Sequence, residues 1–323
     1  MTSRAKLVIT DTVFPDLELE QSMLGDVADI VLAPPGDPGR LAELLTGAHA
    51  VLNCYAVLPP EVVDDMKHCL VICRTGIGLD TIPLDVATRR GIMVANVPDY
   101  CISEVADHTA ALALSLLRRI DVSATHVRQG RWDYKLAGEV RRLGELSVGL
   151  VGFGRIARAF GSRMAAFGMK VRAHDPFVAQ DSIREAGAEP VSLDQLFGEC
   201  DVISLHAPLA PSTRHMVNEA RLALMKPGAI LLNSSRGGLV DFKALTAALV
   251  EGRIAGAGLD VLEQEPPVDM PDGIPNLIVT PHLAFYSREA MGELRRSAAA
   301  EIRRVLDGRV PKNWVNRASR EVA

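Results

Sequence analysis

A chain of 323 residues exceeds the size at which one hydrophobic core usually stops growing, so its length favours about two domains. Apolar residues make up 48% of the sequence and no repeat or low-complexity tract is present, which is typical of a soluble globular protein. The formal net charge of -5, without an extended basic cluster, argues against nucleic acid as a partner.

Membrane association and structural metal are also not expected. The longest apolar runs, such as residues 109–117, are about half the length that a membrane-spanning helix needs. The amino-terminal residues lead almost directly into a strand pattern, which leaves no room for a signal peptide. The five cysteines form no Cys-x-x-Cys pair and the histidine spacings match no zinc pattern. We therefore expect reduced thiols, a cytoplasmic location and no metal.

The first part of the chain alternates short apolar strands with helical stretches, which is typical of a parallel sheet covered by helices. The predicted strands cover residues 6–10, 29–33, 50–55, 70–76 and 92–97. A long buried helix is then predicted over residues 103–120. A serine cap and a glutamate open this segment, apolar residues occur all round it, and basic residues end it.

A second α/β block follows an irregular, tryptophan-containing stretch over residues 121–145. Residues 288–308 have helical periodicity and are expected to return the chain to the first block. We therefore predict two Rossmann-like, doubly wound parallel-sheet α/β domains with a cleft between them, linked by two long helices. Residues 1–101 plus 287–323 would form a flavodoxin-like domain, and residues 102–286 would form the second.

The second block opens with a glycine-rich turn between a predicted strand and a predicted helix. Gly152 would make the tight turn, Gly154 would let the backbone approach a pyrophosphate, and Ala157 would allow close helix packing. Asp175 ends the next strand, about twenty residues on, where a carboxylate can accept hydrogen bonds from ribose hydroxyls. This order of elements predicts a dinucleotide site in residues 102–286. Asp175 favours NAD and disfavours NADP, whose 2′-phosphate it would repel.

Charged side chains follow the last three predicted strands of the second block. Arg236 follows the strand that ends in Leu231-Leu232, Asp260 and Glu265 follow the next strand, and His282 follows the last one. Ligands of an open α/β sheet bind beyond the carboxyl ends of its strands, so these side chains are expected to lie at one edge. An exposed loop arginine remains the alternative for Arg236 when its own stretch is considered alone.

This set of side chains suits hydride transfer between a nicotinamide and a small 2-hydroxy or 2-oxo acid. His282 would donate the proton to the nascent alkoxide, and Glu265 would stabilise the imidazolium and orient the ring. Arg236 would bind the substrate carboxylate and polarise its carbonyl oxygen. We expect no carboxylate partner of comparable placement for four other histidines, His108, His174, His206 and His215.

Five stretches of the chain resemble the D-isomer-specific 2-hydroxyacid dehydrogenase family. They are residues 149–160, 206–218, 225–241, 258–267 and 280–284. The resemblance implies an NAD-dependent D-2-hydroxyacid dehydrogenase or 2-oxo acid reductase, with chemistry like that of glyoxylate and hydroxypyruvate reductases. It implies that the first domain binds substrate and the second binds NAD.

The resemblance also carries a set of site residues over to this chain. The implied catalytic residues are Arg236, Glu265 and His282. The implied cofactor-binding residues are Thr109, Gly152, Phe153, Gly154, Arg155, Ile156, Asp175, His206, Ala207, Pro208, Thr213, Ser234, Ser235, Arg236, Asp260, His282 and Ala284. The implied or candidate substrate-binding residues are Tyr55, Arg74, Ile77, Gly78 and Phe285.

Within the family, residues 96–120 and 280–290 look most like the C-terminal binding protein corepressors and their bacterial dehydrogenase relatives. Those corepressors carry a tryptophan where this chain has Phe285, so their substrate preference does not carry over. The resemblance further implies a homodimer in which residues 121–145 pack across the interface. Two alternatives remain open. One is an NAD(H)-sensing interaction protein of the corepressor type, and the other is an enzyme that acts on a different small oxyanion.

Overall fold

The computed structural model describes residues 4–270 and 273–317. The chain divides into two compact units, with the divisions between Cys101 and Ile102 and between Tyr286 and Ser287. Each division lies at or one residue before the start of a long helix. Among the described residues, every helix is too short or too polar to cross a bilayer.

The first unit contains a five-stranded parallel sheet in the order β2-β1-β3-β4-β5. Its strands are β1 Ala5–Ile9, β2 Ala28–Leu32, β3 Ala50–Asn53, β4 Val71–Arg74 and β5 Met93–Ala95. This strand order is that of flavodoxin-like doubly wound sheets. Every residue of β3 is buried, because helices cover both faces of a parallel sheet.

Four helices connect these strands: α1 Glu18–Leu24, α2 Pro38–Thr46, α3 Pro60–Asp64 and α4 Leu84–Arg89. The sequence marks the start of α2 clearly, because Asp37 accepts a hydrogen bond from the N–H of Arg40 and a proline occupies the first turn. Leu45, Val51 and Ile72 belong to the apolar core between the sheet and these helices.

The second unit begins with two consecutive helices, α5 Ile102–Leu117 and α6 Ile120–Arg128. The prediction of one helix over residues 103–120 was wrong at its end, and the stretch predicted as irregular over residues 121–145 begins with a helix. Arg119 adopts a left-handed backbone conformation with φ of 54°, which ends the first helix and starts the second in a new direction. A short 3-10 turn at Tyr134–Ala137 and another at Leu143–Glu145 complete the stretch before the sheet.

The second unit contains a seven-stranded parallel sheet in the order β12-β11-β10-β9-β6-β7-β8. Its strands are β6 Ser147–Val151, β7 Lys170–His174, β8 Glu189–Pro190, β9 Val202–Leu205, β10 Ile230–Asn233, β11 Gly256–Leu259 and β12 Leu277–Val279. The order reverses direction between β6 and β9, and the carboxyl ends of all the strands lie at one edge. The predicted fold class, two parallel-sheet α/β domains, is confirmed.

The remaining helices of this unit are α7 Arg155–Ala166, α8 Gln180–Glu185, α9 Leu193–Glu199, α10 Glu219–Leu222 and α11 Phe242–Val250. Small residues in β11 bring α5 close to the sheet, since a Cβ on Gly258 would lie 3.1 Å from Leu112 Cβ. This close packing places Thr109 of α5 next to the loop that follows β10.

The last helix, α12 Arg288–Leu306, returns to the first unit and packs on α1, β3 and β4. The Arg295 guanidinium donates to both carboxylate oxygens of Glu20, at 2.8 and 2.7 Å. The following segment pairs with β5, where Val315 donates its N–H to the Val94 carbonyl at 2.8 Å. Residues 287–317 therefore pack within the first unit.

Candidate active site

The turn after β6 requires glycine for two separate reasons. Gly152 adopts φ of 90°, a left-handed region that side chains disfavour. A Cβ at this position would also lie 2.9 Å from the carbonyl carbon and oxygen of His206. Gly152 donates its N–H to the His174 carbonyl at 2.8 Å, so the turn is fixed between β7 and β9. These contacts place the following residues at the carboxyl edge of the sheet.

The amino-terminal end of α7 is open for an anionic group. Gly154 caps the helix without a side-chain hydrogen bond, and a Cβ built on it would meet nothing within 4 Å. The first-turn N–H groups of α7 and its macrodipole can therefore face a pyrophosphate. Ala157 on the opposite side of the turn is fully buried, as close packing of helix and sheet requires. These residues fit a dinucleotide.

Asp175 follows β7 directly and lies beside the glycine turn. Its Oδ2 accepts the N–H of Phe153 at 2.8 Å, and its Oδ1 accepts the N–H of Phe177 at 2.8 Å. Each carboxylate oxygen keeps one further lone pair, which can accept a ribose hydroxyl. The Phe153 side chain is buried under the guanidinium of Arg158, so only its backbone is available to a cofactor.

The loop after β9 is held in place by its own side chains. The Thr213 hydroxyl donates to the Pro208 carbonyl at 2.7 Å and accepts the N–H of Ala210 at 2.8 Å. The Ala207 carbonyl accepts a hydrogen bond from Ser235 Oγ at 2.8 Å, which ties this loop to the one after β10. The backbone of the loop is therefore ordered before any ligand binds.

His206 begins this loop as a neutral ring. Burial lowers the pKa of His206 to about 4, and its Nε2 lies 2.9 Å from Ser204 Oγ. Its ring also packs against Phe160 of α7. At neutral pH His206 therefore adds no positive charge to the site.

The loop after β10 contains Ser234, Ser235 and Arg236. The Thr109 hydroxyl of α5 lies 3.0 Å from Ser234 Oγ and 2.7 Å from the Val105 carbonyl. The buried side chain of Asn233 accepts the N–H of Ser235 at 3.0 Å and donates to the Arg236 carbonyl at 2.9 Å. The buried asparagine thereby sets the course of the backbone on both sides of the arginine.

His282 and Glu265 form a hydrogen bond of 2.6 Å between Nδ1 and Oε2. The other oxygen of Glu265 accepts the N–H of Leu262 at 2.8 Å. Burial raises the pKa of the Glu265 carboxyl, but the hydrogen bonds from His282 and Leu262 and the charge of Arg236 outweigh this effect and lower it overall. An ionised carboxylate only accepts hydrogen bonds, so Nδ1 carries the proton and Nε2 is left for other partners.

Asp260 holds the loop that carries His282. Its Oδ1 accepts the Thr280 hydroxyl at 2.6 Å and the N–H of Leu283 at 3.0 Å, and its Oδ2 accepts the N–H of Ala284 at 2.9 Å. The Asp260 carbonyl also accepts the N–H of His282 at 2.8 Å. His282 itself has φ of 51°, a conformation that costs energy for a residue other than glycine and must be maintained by such contacts.

Gly237 brings the arginine loop and the glutamate loop into direct backbone contact. A Cβ on Gly237 would lie 1.9 Å from Leu262 C and 2.3 Å from Glu263 N, so no other residue fits here without a backbone shift. Arg236 directly precedes this contact, and its guanidinium donates to the Ser235 carbonyl at 2.7 Å. Arg236 is near enough for its charge to contribute to the lowered pKa of Glu265.

Phe285 supplies an aromatic wall beside the histidine. The rings of His282 and Phe285 meet edge to face, with their centroids 6.1 Å apart. Ala284 between them is buried, and its N–H is already bound to Asp260. The structure thus brings Arg236, Glu265, His282 and Phe285 together within one unit.

Four predicted substrate-binding residues lie in the first unit. Tyr55 follows β3, Arg74 is the last residue of β4, and Ile77 and Gly78 lie in the loop after β4. The N–H groups of Ile77 and Gly78 donate to no residue that the structure describes. The Arg74 guanidinium donates to the Thr75 carbonyl at 2.7 Å and lies 5.6 Å from the centre of the Tyr55 ring. The buried Nε of Arg74 has no acceptor among the described residues.

Two expectations about histidines were wrong. His108 Nε2 lies 2.9 Å from the Thr280 hydroxyl and 3.6 Å from Asp260 Oδ1, so α5 also supports the histidine loop. His215 Nε2 lies 3.1 Å from Glu263 Oε2. Neither carboxylate is near its histidine in sequence, so spacing alone could not reveal the pairs. The one indication in the sequence that His108 lies near the site was its position next to Thr109, which the family resemblance had included among the cofactor-binding residues.

Comparison with known proteins places the chain in a family. Residues 110–284 match the family model described as D-isomer specific 2-hydroxyacid dehydrogenase, NAD binding domain. The chain is 35% identical over 314 residues to the D-3-phosphoglycerate dehydrogenase of Methanocaldococcus jannaschii, a match that covers 96% of this chain and 59% of that protein. The corresponding enzyme of Mycobacterium tuberculosis is 35% identical over 91% of this chain and 56% of its own length. The chain thus spans little more than half the length of these relatives.

Solved structures resemble the chain along nearly its whole length. D-lactate dehydrogenase from Aquifex aeolicus, complexed with NAD and lactic acid, has a TM-score of 0.84 and 31% identity, covering 94% of this chain and 96% of that one. A glyoxylate reductase from Paecilomyes thermophila has a TM-score of 0.87 and 29% identity, covering 98% of this chain and 99% of that one. The match to the family model and the similarity to these solved structures show that the chain belongs to the D-isomer specific 2-hydroxyacid dehydrogenase family and carries its NAD-binding domain.

Proposed function

We propose that this protein is an NAD-dependent oxidoreductase that transfers a hydride between NAD(H) and a small 2-hydroxy or 2-oxo acid. The observation that carries the proposal is the 2.6 Å hydrogen bond between His282 Nδ1 and Glu265 Oε2. It lies at the carboxyl edge of the second sheet, with Arg236 in an adjoining loop. That edge also carries the glycine turn that fits a dinucleotide.

His282 would exchange the proton of the reaction. When bound, NADH supplies the hydride that reduces the substrate carbonyl. The oxygen of that carbonyl becomes an alkoxide, and the imidazolium of His282 donates a proton to it from Nε2. Glu265 keeps the ring oriented through Nδ1 and stabilises its charged form, as a carboxylate does in other acid–base pairs. In the oxidation direction, neutral Nε2 would accept the hydroxyl proton.

Arg236 would orient the substrate. A guanidinium presents a planar fork of donors that binds a carboxylate and polarises a neighbouring carbonyl oxygen. Its backbone is fixed by Asn233 on one side and by the Gly237 contact on the other. Such preorganisation is what stabilises charge that develops in the transition state.

The loops of the first unit would contribute to carboxylate binding. The N–H groups of Ile77 and Gly78 have no partner among the described residues, which supports a role as donors to an anion. The unpaired Nε of Arg74 supports the same role, while its contacts with Thr75 and Tyr55 would stiffen the loop. Phe285, whose ring meets that of His282, would also line the substrate site.

The cofactor would be held by the remaining predicted residues of the second unit. The pyrophosphate would lie against Gly154, Arg155 and Ile156, and the adenosine ribose against Asp175. The loops after β9 and β10 and the buried Asp260 would line the nicotinamide half. Asp260 already accepts three hydrogen bonds from the protein, so its main contribution would be to hold the His282 loop.

We further propose a cytoplasmic homodimer that uses the segment over residues 121–145 and the adjacent Ile120. Trp132 and Tyr134 are 89% and 85% exposed, and Ile120 and Val127 are about half exposed. Monomeric surfaces rarely leave such large apolar side chains together in contact with water. Light scattering should give twice the chain mass, and Trp132→Glu should shift the protein towards the monomer. A wild-type mass of one chain at micromolar concentration would refute the dimer.

The activity should appear as oxidation of NADH in the presence of a 2-oxo acid. The panel would contain glyoxylate, hydroxypyruvate, pyruvate, phenylpyruvate and 3-phosphohydroxypyruvate, with absorbance followed at about 340 nm. Turnover of one or two of them is expected, because residues that fit both the cofactor and a carboxylate are present. Tight NADH binding without turnover of any member would instead favour the cofactor-sensing interaction protein.

His282→Ala should lower kcat by about two to four orders of magnitude, the usual effect of a lost general acid. The dissociation constant of NADH should stay within about twofold, because the proposed contacts with the pyrophosphate and the adenosine ribose lie in other loops. Steady-state kinetics and NADH fluorescence titration would measure both quantities. His68→Ala, at an exposed position of the first unit, is the control. Turnover within about twofold of wild type would remove His282 from the mechanism.

Asp175→Asn should narrow the preference for NADH over NADPH by at least about tenfold, because the negative charge that faces the 2′-phosphate is lost. Its amide oxygen can still accept the N–H of Phe153, so the glycine turn should be retained, while the hydrogen bond from the N–H of Phe177 is lost. The ratio of kcat/KM for the two cofactors is the measurement. Asp181→Asn, an exposed acid in the same region, is the matched control. An unchanged ratio would show that another residue selects the cofactor.

A further inference from the structure

A second pair of glutamate and histidine lies beside the first one. Glu263 precedes Glu265 by two residues, and its Oε2 lies 3.1 Å from His215 Nε2. Its other oxygen accepts a hydrogen bond from the Arg214 guanidinium. His215 has φ of 49°, so it shares with His282 a left-handed backbone that a residue other than glycine rarely adopts.

The second pair belongs to a joint between three segments of the second unit. His215 donates its N–H to the Gly238 carbonyl at 2.8 Å, and Val217 donates to the Leu239 carbonyl at 3.0 Å. These bonds connect residues 214–217 to the short turn that follows Arg236. The same turn contacts the backbone of Leu262 and Glu263 through Gly237. Glu263 connects the remaining two segments of the joint, because its side chain contacts Arg214 and His215.

Glu265 depends on this joint for its position. The segment from Leu262 to Glu265 is the support from which the Glu265 carboxylate reaches His282, and Leu262 donates its own N–H to that carboxylate. The Gly237 contact blocks movement of the segment in one direction. The ion pair of Glu263 with Arg214 and its contact with His215 are two further contacts of this segment.

We propose that Glu263 is a positioning residue, which acts with Arg214 and His215 to hold Glu265 against His282. This inference rests on the proposed function for its effect on turnover, but not for its effect on the histidine ring. The side chains of Glu263, His215 and Arg214 are 35%, 38% and 55% exposed, and ion pairs at such positions contribute little to global stability. The catalytic rate is far more sensitive than stability to such changes, since a displacement of about 1 Å at a reacting group can lower the rate about a hundredfold.

The first test observes the His282 ring in the protein without cofactor. Nitrogen-15 NMR of labelled histidines reports whether Nδ1 carries the hydrogen-bonded proton, and the spectrum of His282→Asn assigns the signal. In Glu263→Ala the Nδ1 proton should exchange faster and its signal should shift upfield, because Glu265 is no longer fixed. Glu251→Ala, which removes an ion pair with Arg253 elsewhere in the same unit, should leave the signal unchanged.

The second test measures turnover and stability of the same variants. Glu263→Ala should lower kcat about tenfold while KM for NADH stays within about twofold and the melting temperature within about 2 °C. Glu263→Gln retains a carbonyl oxygen for Arg214 and should recover part of kcat. A lower melting temperature with unchanged kcat and an unchanged His282 signal would overturn the inference.

The two tests also separate this inference from the proposed function. If wild type reduces no 2-oxo acid, the proposed function fails, while the ring signal still decides the role of Glu263. If wild type is active and Glu263→Ala changes neither the ring signal nor kcat, the positioning role fails and the proposed function stands.

Discussion

The arrangement of charged side chains depends on one backbone contact, between Gly237 and the peptide that joins Leu262 to Glu263. Two loops from neighbouring strands approach there with no space for a Cβ, so their relative position is set by close packing of main-chain atoms. Arg236 precedes the contact in one loop and Glu265 follows it in the other. The separation of the main-chain segments that carry Arg236 and Glu265 is therefore set by a backbone contact.

A buried carboxylate fixes the third loop by different means. Asp260 is 1% exposed and uses both oxygens on the hydroxyl and N–H groups of the segment that contains His282. An unpaired charge at that depth would be costly, so the hydrogen bonds that compensate it also define the loop. Asn233 has the same role beside Arg236, since its buried amide binds the backbone at both ends of a turn. The loops that carry Arg236 and His282 are thus each held in place by a buried polar side chain.

The sequence predicted the parts of this site that carry a local chemical requirement. Gly152 could be identified because a tight turn after an apolar strand needs a positive φ, and Asp175 because it ends the next strand. The interior strands were predicted from their apolar runs. In contrast, the break at Arg119 has no glycine or proline to mark it. The contact of Gly237 with Leu262 and the pairing of His215 with Glu263 join residues that are distant in sequence, so only the folded chain reveals them.

At His282, the residue type that the left-handed backbone favours differs from the residue type that the proposed chemistry needs. Glycine or asparagine adopts φ near 51° with less strain than most residues, so conformational energy alone would select one of them at this position. The chain carries an imidazole there, and the hydrogen bonds to Asp260 offset its strain. An asparagine here would therefore preserve the fold while it removes the imidazole that we propose as the acid–base group.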